Sequence, residues 1–281
     1  MSSSMTGRSV STALRASSGD AEDSLESVPW SSTWQGILVL RLGIVAVLVG
    51  LWEFVSGSLV DEFWISSPSA VAGALWTWIV DGTLGSNLLA TLVAMASGLL
   101  LGAGAGIIIG IVLGLLPRVC KLLDPFITAV YALPKVALAP LFILWFGIGL
   151  ASKTLLTAVI VFFLVFYNTL SGVRSVERDL VDVVRLMGGK QADILRRVVL
   201  PSSAIWIYTG LRIAVPYSLI GAVVGEIVAS NEGIGHLLAR AAGTFQTSQT
   251  FAALFVLMVI GALLNTVVDL TEGKTSRWRQ L

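Results

Sequence analysis

The chain has little charge and almost no cysteine or histidine. Only 12% of its 281 residues are charged, whereas a soluble domain has about 25%. This excludes an ordinary soluble domain. Cys120 and His236 are the single cysteine and the single histidine, so an intramolecular disulfide is excluded and no metal site is expected. Apolar residues instead make up 56% of the chain, in several long runs, which is typical of a polytopic helical membrane protein.

Six apolar segments meet or approach the roughly 20 residues that a helix needs to cross the hydrocarbon core. They predict an all-α polytopic membrane protein with transmembrane helices at about 36–56, 86–116, 123–147, 153–173, 204–229 and 250–270. These spans lie in a membrane domain of residues 34–272. Residues 1–33 are rich in Ser and lack the apolar core of a cleavable signal peptide, so a disordered cytosolic tail is expected. Residues 273–281 are expected to form a cytosolic C-terminal tail.

The basic residues predict the orientation, because Lys and Arg collect on the cytosolic side of a membrane. With the N-terminus inside, the outer loops hold only Lys153 and Arg240, and Lys135 and Arg212 fall within spans. The other fourteen of the eighteen basic residues are then cytosolic. We therefore expect a multi-pass protein of the plasma or inner membrane with both termini in the cytoplasm.

Prolines and glycines indicate how the spans pack. Pro134 and Pro140 are expected to kink or interrupt the third span where it faces protein or a water-filled cavity. The outer loop 57–85 predicts a short helix from Ser67, either at the membrane interface or packed on the protein. No G-x-G-x-x-G register fits the glycine-rich second span, so no nucleotide site is predicted there. Its glycines recur every four residues and predict close helix packing: Gly98, Gly102, Gly106, Gly110 and Gly114.

Residues 174–203 form a charged cytosolic segment between two apolar spans. The segment carries six basic residues, and helical spacing separates Val181 and Val184 from these charges. Gly188-Gly189 predict a turn between two short helices, and Leu200-Pro201 predict the end of the second helix. A short helix with apolar and basic faces can lie on the inner leaflet or insert into a groove of a soluble partner. The residues alone leave both possibilities open.

The same segment resembles the cytosolic EAA loop of ATP-binding-cassette importer permeases. In that loop, Glu-Ala-Ala is followed after three residues by Gly, and about eleven residues later by Leu-Pro. Asp182-Val183-Val184 stands where the triplet would be and keeps only its acid, Gly188 matches the Gly, and Leu200-Pro201 match the end. The stretches ALPKVALAPLFILWFGIG, NTLSGVRSVERDLV, TGLRIAV and SNEGIGHLL resemble the branch that serves nitrate, sulfonate, taurine and thiamine-precursor importers. The resemblance covers about residues 36–272.

The resemblance implies a type I ABC importer permease fold and a division of labour between subunits. The loop would be a coupling helix that docks in a groove of a cytosolic ATPase, which binds ATP and Mg²⁺. The chain has no G-x-x-x-x-G-K-[ST] motif of its own, so it is expected to be a transport subunit without catalytic residues. A homodimer and an extracytoplasmic solute-binding protein are also implied. The expected coupling residues are Asp182, Val183, Val184, Arg185, Gly188, Gly189, Leu200 and Pro201.

Three charged residues lie well inside the predicted spans: Lys135 near the bilayer middle, Arg212 nearer the inner face and Glu226 nearer the outer face. A central charge costs at least ~2.5–3.5 kcal/mol, so each should face protein or water. Together with Pro134 they are candidate pathway residues that lower the barrier for an anion. Alternatively, they form structural ion pairs or hold backbone carbonyls freed by the prolines.

Two other classes of membrane protein also have several apolar spans. A secondary transporter driven by an ion gradient often has inverted repeats and acidic relay residues, but no clear repeat is present and Glu226 is the single acid well inside a span. An intramembrane enzyme needs a nucleophile with its base or clustered ligands, and His236 is expected to be structural. The cargo stays open among nitrate, alkanesulfonates, taurine, bicarbonate, and pyrimidine- or riboflavin-type compounds.

Overall fold

All regular secondary structure is helical in residues 34–275, which are the residues that the computed structural model describes. The chain divides into two units, Met1–Leu59 and Val60–Leu281. The predicted tail at 1–33 and residues 276–281 of the predicted C-terminal tail lie outside the described residues.

Helix α1 belongs to the first unit, and the other helices belong to the second. Helix α1 (Trp34–Ser58) bends near its end, where Gly57 has a φ of 82°. In the second unit the helices are, in chain order, α2 (Pro68–Val80), α3 (Thr83–Leu115), α4 (Pro117–Ala132), α5 (Ala139–Phe146), α6 (Leu150–Arg174), α7 (Arg178–Leu186), α8 (Gln191–Ile194), α9 (Leu200–Ala229), α10 (Ile234–Gly243) and α11 (Thr247–Thr275). A 3₁₀ turn, Lys135–Leu138, precedes α5, and a π-helical segment, Leu195–Val199, joins α8 to α9.

Five helices in the described range are long and apolar enough to cross a membrane. A sixth candidate is a bent pair, Pro117–Ala132 and Lys135–Phe146, whose halves meet at 85°. Counting that pair as one span gives six. The five unbroken candidates are Ile37–Ser58, Thr83–Leu115, Leu150–Arg174, Gln191–Val228 and Thr247–Leu270.

The bend in the third predicted span has a local cause at Pro134. A proline has no N–H to donate to the carbonyl four residues earlier, and the Val130 carbonyl instead accepts from the N–H of Leu133 at 3.3 Å. The prediction of a second interruption, at Pro140, is wrong. Pro140 lies in the first turn of α5, where a backbone N–H has no helical partner and proline is therefore tolerated.

The core of the second unit forms where α3, α6 and α9 pack together. The regularly spaced glycines of α3 let this helix approach its neighbours closely. A Cβ added at Gly102 would lie 2.3 Å from the Ala158 carbonyl oxygen, and one at Gly106 would lie 2.9 Å from the Phe162 carbonyl oxygen. Gly221 of α9 is equally close, because its added Cβ would lie 2.8 Å from the Thr157 Cα. The predicted glycine packing face is confirmed, and its partner is α6.

Two shorter helices lie at the end of the bundle that contains the start of α3. Helix α2 begins at Ser67, whose hydroxyl accepts a hydrogen bond from the Ala70 N–H at 3.2 Å, and it packs on α3 and α11. It buries Trp78 and leaves Trp76 exposed, so one face is packed and the other is exposed. Helix α10 packs on α9 and α11.

The prediction that a helix ends at Leu200-Pro201 is wrong. The chain runs as one helix from Gln191 to Val228, and Pro201 lies inside that run. The π-helical turn before it makes this possible, because the Leu200 N–H donates to the Leu195 carbonyl, five residues earlier. The wider turn accommodates a proline that would otherwise disrupt the ladder.

Candidate functional site

The 174–203 segment begins with the amphipathic helix α7, which ends in a tight glycine turn. Gly188 has a φ of 80°, a left-handed conformation that favours glycine. The Gly189 N–H donates to the Val184 carbonyl and the Gly188 N–H to the Arg185 carbonyl, both at 2.9 Å. These two bonds form a Schellman motif, which satisfies the last carbonyls of the helix. The predicted turn at Gly188-Gly189 is confirmed.

The inner face of this segment is anchored to the helix bundle. Val173 at the end of α6 packs in a buried cluster with Ile194 and Val199. Val181 and Val184 of α7, together with Ile111 of α3 and Leu195, pack against the same cluster. α7 and the start of the long helix therefore share one core with α3 and α6.

The outer face of the segment presents large apolar side chains at its apex. Leu186 is 89% exposed and Met187 is 82% exposed. Beside them, Asp182 and Arg185 form an ion pair at 3.2 Å between exposed side chains. These side chains make the apex a candidate interaction surface. A cavity of about 280 Å³ lies next to it, lined by Val184, Met187, Gly188, Gly189, Asp193 and Arg197.

Lys135 lies just after the bend in the third span and turns back onto the helix before it. Its ammonium group donates to the Tyr131 carbonyl. In a continuous helix that carbonyl would accept from the backbone N–H of residue 135. The Nζ atom also lies 4.1 Å from the centroid of the Tyr131 ring and 5.3 Å from that of Phe163. These contacts are of the kind expected of a residue that holds a freed carbonyl.

Arg212 and Glu226 make separate contacts and are not brought together with Lys135. Arg212 Nη2 lies 3.1 Å from Asp269 Oδ1, which joins α9 to α11. Glu226 is buried, and its Oε2 accepts from the Thr91 hydroxyl at 3.0 Å and from the Gly235 N–H at 2.9 Å.

Glu226 belongs to a buried polar network that the sequence did not predict. Lys153, placed in an outer loop by the sequence, lies in the first turn of α6 and is fully buried. Its Nζ is 3.6 Å from Glu232 Oε1. Asn87 accepts from the Gly233 N–H at 2.7 Å, and Thr91 accepts from the Ile234 N–H at 2.9 Å. The network fastens the 230–235 loop to the end of the bundle opposite the 174–203 segment. Asn87 and Thr91, polar and four residues apart in an apolar helix, were its one sequence signal.

The described residues hold five or six candidate membrane spans. Between two of them lies an elbow, the 174–203 segment, which is anchored on α3 and α6. These features are those of a multi-pass membrane protein. Residues 102–276 match the family described as "Binding-protein-dependent transport system inner membrane component". The chain belongs to this family.

Known relatives agree with this assignment over most of the chain. The riboflavin transport system permease protein of Chloroflexus aurantiacus is 35% identical, over 91% of this chain and 93% of its own. The taurine transport system permease protein of Escherichia coli is 31% identical, over 86% and 90%. Among solved structures, the MetNI methionine ABC transporter in an inward-facing conformation matches with a TM-score of 0.51 at 17% identity, over 68% of this chain and 94% of that chain.

The chain is therefore a membrane-spanning permease subunit of an ABC importer, with the type I permease fold. The resemblance to the sulfonate, taurine and thiamine-precursor branch is confirmed. Family membership also decides against the secondary transporter that was the alternative.

Proposed function

We propose that a separate ATP-binding-cassette ATPase, which binds ATP and Mg²⁺, drives this permease by docking on the 174–203 segment. The observation that carries the proposal is the pair of exposed apolar side chains, Leu186 and Met187, on an otherwise anchored elbow. An apolar anchor with charged neighbours is suited to a groove on a soluble partner. Gly188, Gly189 and the Asp182–Arg185 pair shape this apex.

The same elbow explains how docking moves the bundle. Val184 packs with Ile194 and Val199, so a pull on α7 acts directly on the long helix that continues into α9. Leu200 and Pro201 lie inside the continuous helical run Gln191–Val228, so no helix end separates the 174–203 segment from α9. We propose that ATP-driven closure of two ATPase subunits draws two such elbows together and reorients the pathway.

The wider assembly follows from the family and from the charge distribution. We propose that both termini are cytosolic, because the basic residues collect at the end of the bundle that contains the 174–203 segment. A homodimer would complete the translocation pathway, and an extracytoplasmic solute-binding protein would deliver the cargo. Relatives named for taurine and riboflavin support a small anion or a pyrimidine- or riboflavin-type compound as cargo.

Site-directed crosslinking tests the docking proposal. A photoreactive group attached to Met187→Cys should capture the ATPase in inner-membrane vesicles. Phe245→Cys is the matched control, because Phe245 is also exposed, at 71%, but lies between α10 and α11. Capture of the ATPase from position 245 alone would reverse the proposed orientation. Capture from neither position, with uptake intact, would remove the docking proposal.

We propose that Pro134 and Lys135 line the pathway at the bend, since Pro134 is exposed and Lys135 is half-buried there. Arg212 and Glu226 are assigned instead to holding α11 and the 230–235 loop, because each already has a side-chain partner.

Lys135→Met should slow uptake of an anion such as taurine about tenfold, equivalent to about 1.4 kcal/mol, and leave uptake of a neutral solute unchanged. Lys135→Arg keeps the charge and should retain most anion uptake. The measurement is uptake into proteoliposomes of the anion and of the neutral solute, each delivered by its binding protein. Equal loss for the two solutes would show that Lys135 acts structurally.

A further inference from the structure

Lys153 is the largest fully buried side chain in the part of the chain that the structure describes, yet its charged end is loosely held. Its Nζ lies 3.6 Å from Glu232 Oε1 and 3.5 Å from the Glu232 carbonyl oxygen. Charge-assisted hydrogen bonds of this kind are usually about 2.7–2.9 Å long. A buried ammonium group is costly unless it has close partners. A second acceptor within reach would therefore compete for Lys153.

Glu226 provides such an acceptor, because it is buried and uses only one of its two carboxylate oxygens. Its Oε2 accepts from the Thr91 hydroxyl and from the Gly235 N–H. Its Oε1 is also buried and has no hydrogen-bond partner among the described residues. A buried acceptor without a donor is destabilising. The interior therefore contains an under-used carboxylate as well as a loosely held ammonium group.

The two groups approach the same peptide unit, Glu232–Gly233. Lys153 Nζ faces the Glu232 carbonyl oxygen, and the Glu226 carboxyl group fills the space that a Gly233 side chain would need. The lysine stem also passes against Gly225, the residue before Glu226, where an added Cβ would lie 3.4 Å from Lys153 Cγ. A lysine stem is flexible. A change of side-chain rotamer is therefore enough to carry the ammonium group from Glu232 toward Glu226.

We infer that Lys153 is an ion-pair switch between two carboxylates. Paired with Glu232, it holds the 230–235 loop against the bundle; paired with Glu226 Oε1, it releases the loop. Each state gives the ammonium group one carboxylate, which keeps the two states close in free energy. The backbone bonds of the loop to α3 favour the held state, so the released state is the minor one. The switch would give the mouth opposite the 174–203 segment two positions, as alternating access requires. That role rests on the proposed function, whereas the switch itself does not.

Maleimide labelling of Ile234→Cys in the purified, full-length permease measures release of the loop. Ile234 is fully buried and the chain's own cysteine is buried too, so labelling requires the loop to lift. Glu232→Gln should label about tenfold faster, a loss between those typical of exposed and of buried ion pairs. Glu226→Gln should label at or below the parent rate, because Gln still accepts from Thr91 and Gly235 but no longer attracts the ammonium group. Glu232 is exposed, so its variant should fold, and an unchanged rate in that variant alone overturns the switch.

The Glu226→Gln/Glu232→Gln double variant separates a switch from a purely structural network. A switch predicts labelling near the parent rate, because the ammonium group has no second carboxylate to move to. If both carboxylates only stabilise the loop, the double variant labels fastest of all, since the two losses then add, and the inference is overturned. Phe245→Cys, which is exposed, should label equally in every background and controls for reagent access. Labelling needs no ATPase, so the predicted rates together with a failed crosslink from position 187 would overturn only the docking proposal.

Discussion

Transport falls by about 100-fold or more when Leu186 and Met187 are both replaced by Asp, while the protein keeps its fold. We expect this result because central apolar anchors of an interface each contribute about 2 kcal/mol or more. A carboxylate forced into an apolar groove adds a desolvation penalty. Neither side chain packs in the permease itself, since they are 89% and 82% exposed, so the unfolding temperature should not change. Binding-protein-stimulated ATP hydrolysis and substrate uptake in proteoliposomes measure the effect.

Gln191→Asp is the control for this double substitution. Gln191 is also exposed, and it begins α8, where a negative charge is favoured by the helix dipole. The control should retain uptake, although it places a new charge in the same segment. Normal uptake by the Leu186→Asp/Met187→Asp variant would show that the ATPase docks elsewhere.

The sequence predicted the features of this elbow that depend on local chemistry. Gly188-Gly189 predicted a turn, because a left-handed residue ends α7 and glycine adopts that conformation without strain. The helix end predicted from Leu200-Pro201 was wrong. A proline normally ends a helix, but the preceding π-helical turn let the helix continue. That turn depends on how Val198 and Val199 pack in the interior, which a linear pattern does not reveal.

The buried network around Glu226 could not be predicted from the sequence either. Lys153 follows a glycine-rich connection and looks like a solvent-exposed basic residue at the start of a span. The fold buries it, because α9 passes close at Gly225, where an added Cβ would lie 3.2 Å from the Lys153 Cα. Glu232 then supplies a counter-charge from 79 residues away. Such long-range pairing depends on which helices pack together, and residue spacing alone does not predict that.

The glycine face of α3 was predicted, and it supports the largest expected effect on stability. Gly102→Ala would place a methyl group 2.3 Å from the carbonyl oxygen and 2.9 Å from the Cα of Ala158. Backbone atoms cannot rotate away as a side chain can, so α3 and α6 must separate. Overpacking of this kind costs about 3 kcal/mol, and the unfolding temperature should fall by about 8 °C.

Gly104→Ala makes the same chemical change two residues along α3, where nothing lies within 4 Å of an added Cβ. This control should unfold at or above the parent temperature, because alanine is favoured over glycine in a helix by about 1 kcal/mol. Thermal unfolding of the two variants in one detergent, followed by size-exclusion chromatography of heated samples, gives the comparison. Equal unfolding temperatures would contradict the close approach of α3 and α6. Since the elbow at 174–203 is anchored to these same two helices through Ile111 and Val173, Gly102→Ala should also reduce transport in the fraction that remains folded.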